Sequence, residues 1–482
     1  MSPNTKPLLT LASLLALGAC TTVGPDFKPP ATPQGAAGAG YAMAGDPAAP
    51  GVRLDPDARV AGPWWQAFGS ADLDRTVRLA LSESPTVAEA RATLERYQAD
   101  VAAARGEQKP QVDLNASAQR ERINTTQFGF SVPGFSSPTI NLFSVGPTVS
   151  YDLDLFGGRR RATERAEAQA EQAARQADAA YLTLSANVAS QAMRVAGLRA
   201  QIAAVDAILA DDRRTADLVA RAQAAGGEAP AATRSVQAQI AEDEALLPPL
   251  QRDLAAARHQ LALLAGKSPA EWSAPDFDLA ALTVPAEIPV SLPSSLVARR
   301  PDILAAQAEL HAATAAIGIA VANQYPDLRL SANFIQGAIK PENLFNYSSS
   351  GWQALAGLTA PITHGGTLKA ERRAAEADAR AALARYQGTV IRAFVQVSDV
   401  LAALATDQQQ IAAEDRAAAA AQGVLADSQT AYRLGGGTLM QVVDAQRQLS
   451  RARRRLAMAE GQRFTDLVEL YAATAADWRT AG

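Results

Sequence analysis

The sequence predicts a mainly α protein with a small β part, arranged as two tandem structural repeats. Three observations carry this. Alanine-rich runs hold apolar residues at a strict spacing of seven, the mark of coiled-coil helices. Two glycine clusters, Gly226-Gly227 and Gly435-Gly436-Gly437, interrupt such runs at matching places. Each half also holds a pair of short segments whose side chains alternate apolar and polar, with a period of two.

The chain is 482 residues long, enough to bury a large core, yet only 5% of it is aromatic. Abundant alanine instead favours closely approaching helices. The net charge is −4, with acids and bases interspersed along the helical runs as on a solvated helix surface. No basic block points to nucleic acid, so no nucleic-acid partner is expected. The single cysteine, Cys20, excludes an internal disulfide and a four-cysteine zinc site.

The N-terminus, MSPNTKPLLTLASLLALGAC, places Lys6 before an apolar stretch from Leu8 to Leu17 and small residues before Cys20. Residues 1–19 have the layout of a secretory signal, too short to persist as a membrane-spanning helix. Leu17-Gly18-Ala19-Cys20 matches the bacterial lipobox, which makes Cys20 the expected site of lipid (palmitate) attachment. Thr21, in place of aspartate, resembles the outer-membrane sorting rule. No other run of 18 consecutive apolar residues occurs, so no transmembrane helix is expected. Residues 20–62, rich in Gly, Pro and Ala, form a lipidated tether.

Helical patterning begins near Asp72. The first repeat is placed at 63–266 and the second at 297–475, with a linker at 267–296 and a tail at 476–482. Pro85, Leu94, Pro110 and Leu114 match Pro301, Leu310, Pro326 and Leu330 at one offset of 216 residues (85 to 301). Gly157 matches Gly365, and Gly226 matches Gly435 at an offset of 209 residues (226 to 435). Tyr181, Val188, Val195, Ile202 and Leu209 give the first heptad. Val390, Val397, Leu404, Ile411, Ala418, Leu425 and Tyr432 give the second. After the glycines, Ile240, Leu247, Leu254 and Leu261 mirror Leu449, Leu456 and Leu470, with Arg463 the odd member. Glycine is stable at positive φ and commonly ends helices, so each cluster turns a helix back into a hairpin. The span from Gly158 to Gly226 corresponds to roughly 100 Å of helix at ~1.5 Å per residue. Pro248-Pro249 must break or kink the first return helix.

The alternating segments predict β-hairpins near 111–156 and 327–363. Their members approach the ~9–11 residues that cross a bilayer. Four strands cannot close a barrel and lipid tolerates no open sheet edge, so as membrane strands several chains would each contribute four; the alternative is two soluble β-hairpins.

Taken in order, CTTVGPDFKPP, WWQAFGSADLDRTVRLAL, SYDLDLFGGRRRA, ARRPDILAAQAELHAATAAIGIAVANQYPDLRLSANF and AYRLGGGTLMQVVDAQRQL resemble the TolC-like outer-membrane efflux factors. The resemblance is to the lipoprotein, NodT/OprM-like branch that partners resistance-nodulation-division pumps, and it covers nearly the whole mature chain. It implies a homotrimer whose four transmembrane strands per chain complete a shared twelve-stranded barrel, with the helical hairpins forming a periplasmic tunnel. It implies a periplasmic adaptor (membrane fusion protein) at the tips Gly226, Gly227, Gly435, Gly436 and Gly437, an inner-membrane pump, and outer-membrane lipid. By the same resemblance Asp444 belongs to an acidic ring at the pore entrance, Met440 to an apolar constriction, and Tyr432 to a hydrogen bond that holds the closed state. The rival for Tyr432 is heptad packing. Gly437 and Gln441 depart from members that carry an arginine and a second aspartate there.

No catalytic chemistry is expected. His259, His311 and His364 lack metal-ligand spacing, and no P-loop, G-x-S-x-G or H-E-x-x-H occurs. The expectation is a passive exit duct for small molecules such as drugs or toxic compounds, with no cofactor beyond the lipid on Cys20. Two alternatives stay open on sequence: an outer-membrane duct for type I protein secretion, and a lipid-anchored structural coiled coil without a pore.

Overall fold

The computed structural model describes residues 22–31, 41, 52–54, 63–122, 139–285, 288–290 and 293–474. The signal peptide, Cys20, much of the tether and the tail at 476–482 lie outside these residues. The chain divides into two units.

The first unit holds Met1–Pro30, Leu94–Ala173 and Ala306–Tyr386. It contains a four-stranded antiparallel sheet of β2 (Gln111–Arg122), β3 (Thr139–Leu153), β5 (Asp327–Ala338) and β6 (Ser350–Thr359), in that order. β2 and β3 are the hairpin of the first half, β5 and β6 that of the second. Pairing of Leu153 with Leu328 through Phe143 with Ala338 fuses them into one sheet.

The register sorts the side chains by chemistry. Val112, Leu114, Val149, Leu330, Phe334, Trp352 and Leu358 share one face. Four of these are strongly exposed: Val112 at 67%, Leu114 at 74%, Trp352 at 80% and Leu358 at 66%. Opposite them stand Asp113, Asn115, Ser117, Thr148, Ser331, Asn333 and Gln353, interrupted by Leu142, Ile335 and Leu355. Polar cross-strand pairs tie this second face together. Asn115 Nδ2 donates to Thr148 Oγ1 at 3.2 Å, Ser117 and Ser144 share a hydrogen bond of 2.8 Å, and Arg329 Nε donates to Asp152 Oδ1 at 2.6 Å.

Below the sheet, the N-terminal segment is clamped by Arg161, whose side chain is only 4% exposed. Its guanidinium donates to Asp26 Oδ1 at 2.7 Å, to Glu164 Oε2 at 2.7 Å and to the carbonyls of Val23 and Gly24. Phe27 stacks on His311 at 4.4 Å, and His311 Nε2 lies 3.0 Å from Glu164 Oε1.

The second unit holds Ala31–Thr93, Ala174–Ala305 and Gln387–Gly482. A short parallel pair joins β1 (Val52–Leu54) to β4 (Ile288–Val290). The 3-10 turn Trp64–Phe68 buries Trp64, Trp65 and Phe68 completely, with Trp64 stacked on Tyr471 at 5.5 Å. Trp65 Nε1 donates to Asp74 on α1 (Ala71–Glu83), a helix capped by Ser70. α2 (Pro85–Glu107) follows.

Two helices of 67 residues, α3 (Gly158–Ala224) and α8 (Thr367–Arg433), are the first arms of the two hairpins. The return of the first is split into α4 (Pro230–Glu244) and α5 (Leu247–Leu264). The break falls at Ala245-Leu246, one residue before the prolines, which occupy the first turn of α5, where their missing N–H groups cost no hydrogen bond. The return of the second, α9 (Leu439–Ala473), is continuous over 35 residues. α6 (Pro293–Arg299) and α7 (Pro301–Ala322) begin the second repeat. Of the heptad residues, Val188, Val195, Leu209, Leu254, Leu261, Val390, Val397, Leu404, Leu425, Leu449 and Leu470 are buried. α7 and a stretch of α8 are long and apolar enough by composition to cross a membrane, a test that alanine-rich core helices also pass.

Gly146 in β3 has no room for a side chain: a Cβ there would lie 1.8 Å from the Phe334 carbonyl oxygen. Gly146→Ala must push β3 from β5, costing about 1–3 kcal/mol as overpacking does. The expected result is a lower thermal midpoint of the purified protein, with the helical signal kept.

Candidate functional site

Both hairpin tips are built by the same backbone device. At the end of α3, Gly227 N donates to Ala222 O at 2.9 Å and Gly226 N to Gln223 O at 2.9 Å. At the end of α8, Gly436 N donates to Ala431 O at 2.9 Å and Gly435 N to Tyr432 O at 3.1 Å. Each is a Schellman turn, which satisfies the last helical carbonyls and needs a left-handed residue. Gly226 and Gly435 fill that place with φ of 79° and 78°.

The returns start differently. α4 begins at Pro230 with no side-chain cap. α9 begins with a capping box: Thr438 N donates to Gln441 Oε1 at 2.8 Å, and Gln441 N donates back to Thr438 Oγ1. Gln441 is therefore committed to starting the helix. Gly437 is crowded, because a Cβ there would lie 3.0 Å from Ala431 Cβ and 3.2 Å from Tyr432 N.

Tyr432 both packs and bonds. It packs against two clusters of buried residues, one holding Val219, Val236, Leu439 and Val443, the other Leu425, Val442 and Leu449. Its hydroxyl donates to Glu228 Oε1 at 2.8 Å, which ties the end of α8 to the loop of the first tip. Burial first, then the bond to Glu228, raises the phenol above its ordinary range. Met440 is half exposed, with Ser235 Oγ 3.7 Å from its sulfur. The Asp444 carboxyl is 59% exposed. It does not stand alone: Arg447, one turn on, is 3.9 Å away and is also 3.8 Å from Glu242. So Asp444, Met440 and Tyr432 lie within three turns of one hairpin end, and part of the Asp444 charge is offset within the chain.

Away from the tips, reading all charges as solvated helix surface is corrected by four buried aspartates. Asp212, Asp243, Asp407 and Asp466 are at most 7% exposed. Gln239 Nε2 donates to Asp243 Oδ2 at 2.6 Å, and its Oε1 accepts from Arg447. Thr215 Oγ1 donates to Gln446 Oε1 at 3.1 Å. These bonds form a polar layer joining α3, α4 and α9. Its signal in the sequence was the spacing: each aspartate follows a heptad residue by three positions, which is core-facing.

The two halves, residues 76–267 and 292–476, match the family model described as outer membrane efflux protein. The chain belongs to the outer membrane efflux protein family. It is accordingly a mostly helical, two-repeat outer-membrane efflux protein. Its similarity to single members spans nearly the full length. It is 30% identical to the outer membrane protein OprJ of Pseudomonas aeruginosa, over 98% of this chain and 97% of that one. It is 28% identical to the pyoverdine export outer membrane protein OpmQ of Pseudomonas putida, over 98% of each. Among solved structures it is similar to the outer-membrane channel OprN, at a TM-score of 0.84 and 25% identity, covering 95% of this chain and 99% of that one. It is also similar to the outer membrane protein VceC of Vibrio cholerae, at 0.79 and 26% identity, covering 86% and 99%.

In this efflux protein Tyr432→Phe removes one hydrogen bond and keeps the ring. The expected cost is about 1 kcal/mol, seen as faster amide exchange at 226–229 and 433–437. Tyr432→Ala also removes the partly buried ring and should cost more than Tyr432→Phe. Equal exchange in the wild type and Tyr432→Phe would assign the residue to packing alone.

Proposed function

We propose that three copies of this chain form the outer-membrane exit duct of a tripartite efflux system. The observation that carries this is the sheet with one apolar and one polar face, ending in two unpaired edges, β2 and β6. The apolar face suits lipid and the polar face suits a water-filled lumen. Edges cannot be left open in lipid, so neighbouring copies must pair β2 with β6. Three copies give twelve strands, the number the family resemblance implies.

The duct passes small molecules delivered by a resistance-nodulation-division pump through a periplasmic adaptor that engages the tips at Gly226-Gly227 and Gly435–Gly437. OpmQ, named for pyoverdine export, and the toluene efflux pump protein TtgC of Pseudomonas putida, 30% identical over 98% of this chain, support a small-molecule cargo over a protein one. Cys20 carries the lipid that holds the tether at the membrane. The chain performs no catalysis, and transport is driven from the inner-membrane pump. Opening spreads the tip helices and breaks contacts around Tyr432 and Asp444, the Tyr432–Glu228 bond among them.

Planar-bilayer recording tests this. The wild type should give small, cation-selective openings, because a ring of carboxylates favours cations. Asp444→Ala should keep the openings and weaken the selectivity. Because Arg447 already offsets part of the charge, the change should be moderate, and Arg447→Gln should strengthen selectivity. Channels indifferent to both substitutions would remove Asp444 from the entrance. Absence of channels, with and without Tyr432→Phe to loosen the tip, would contradict the duct.

A further inference from the structure

The heptad core of each hairpin holds a pair of carboxyls that neither helix packing nor the tip bond requires. Asp212 on α3 meets Asp243 on α4, and Asp407 on α8 meets Asp466 on α9. Their exposures are 2%, 5%, 7% and 7%. Each pair therefore bridges an outgoing helix and its own return helix.

The hydrogen bonding of these pairs is incomplete in a telling way. Asp243 Oδ2 accepts from Gln239 Nε2 at 2.6 Å, and Asp466 Oδ1 accepts from Gln462 Nε2 at 2.9 Å. The facing atoms Asp212 Oδ2 and Asp407 Oδ2 are buried with no partner. Two ionised carboxylates offer only acceptors, so neither can satisfy the other. One proton turns one of them into a donor and closes an O–H···O bond between the helices. Gln239 and Gln462 already donate to Asp243 and Asp466, which leaves the unpartnered oxygens of Asp212 and Asp407 as the places for the proton.

The surroundings do little to neutralise the pairs. The charges acting on Asp212 are those of Asp243 and Asp211, both negative. Arg447 of α9 reaches this pair only through Gln239, and it is shared with Glu242 and Asp444. Arg453 of α9 lies 3.5 Å from Asp211, and Arg214 of α3 lies 3.0 Å from it. Around the second pair, Arg463 of α9 opposes the effect of Asp466 on Asp407. Glu469 faces Asp466, and its own carboxyl is raised by burial and by that neighbour.

We propose that one shared proton fastens each hairpin, at Asp212–Asp243 and at Asp407–Asp466, and that its loss in mildly alkaline solution loosens the outgoing helix from the return helix. Burial, then the neighbouring carboxyl, pushes Asp212 and Asp407 up to about 7. Both values lie above the ordinary carboxyl value. The stabilisation is therefore complete below about pH 4 and is lost as pH rises through about 7. The device acts whatever the cargo is, and it does not depend on the duct reading.

The test is thermal unfolding of the purified full chain in detergent between about pH 5.5 and about pH 8.5. The wild-type midpoint should fall by several degrees over this range. In the Asp212→Asn, Asp407→Asn double variant, the amide supplies a donor at every pH, and less than half of that fall should remain. Asp243→Asn with Asp466→Asn serves as a second variant pair if the first does not fold. The infrared carbonyl band of protonated carboxyls should be present in the wild type near pH 6 and shrink near pH 8.5. Part of that loss should disappear with the substitutions, while Glu460 and Glu469, also raised by burial, remain. An equal fall of the midpoint in wild type and variants, or no titrating carboxyl band in the wild type, overturns the proposal.

Discussion

Unpaired strand edges cannot be left in hydrocarbon, and most of this architecture depends on that constraint. The sheet of β2, β3, β5 and β6 presents an apolar face of Val112, Leu114, Trp352 and Leu358, which suits lipid. The same strands carry Asn115, Ser117, Asn333 and Gln353 on the other face, which suits water. A sheet with two such faces belongs at a boundary between the two media. With the outer edges of β2 and β6 unpaired, one copy cannot satisfy its own backbone there. The protein thereby carries its demand for further copies in its hydrogen bonding.

The helical part obeys a different logic. Its long helices are alanine-rich and held by heptad packing, so the stability is spread along them. The ends are held by a few discrete bonds: the Schellman turns at Gly226 and Gly435, the capping box of Thr438 and Gln441, and the bond from Tyr432 to Glu228. Each is worth about 1 kcal/mol, small enough to be broken by an arriving partner. The buried aspartate pairs lie farther along the same hairpins and respond to protons. The proposed opening at the tips and the proposed fastening along the hairpins are thus separable.

Much of this was legible in the sequence because it rests on local pattern. Glycine in a helical run, a spacing of seven, and alternation in Val112–Ala118 each report a conformation from neighbours alone. The pairing of β3 with β5 and the choice of Glu228 as partner of Tyr432 were not legible, since each joins residues about two hundred positions apart. By resemblance Gln441 stands where some members carry an acid, and only the backbone geometry shows it starting α9. The aspartates at 212, 243, 407 and 466 stood at core-facing heptad positions in plain view. Their charge masks that placement, because interspersed charge on a helix ordinarily faces solvent. The lipobox at Cys20 remains a sequence expectation, as it lies outside the described residues.

The most direct test of the central claim is the mass of the purified full chain in detergent, by native mass spectrometry. The account predicts three chains per particle, so that three four-stranded sheets pair edge to edge into twelve strands. A folded single chain with its four-stranded sheet intact would contradict it, because the edges of β2 and β6 would then need no partner.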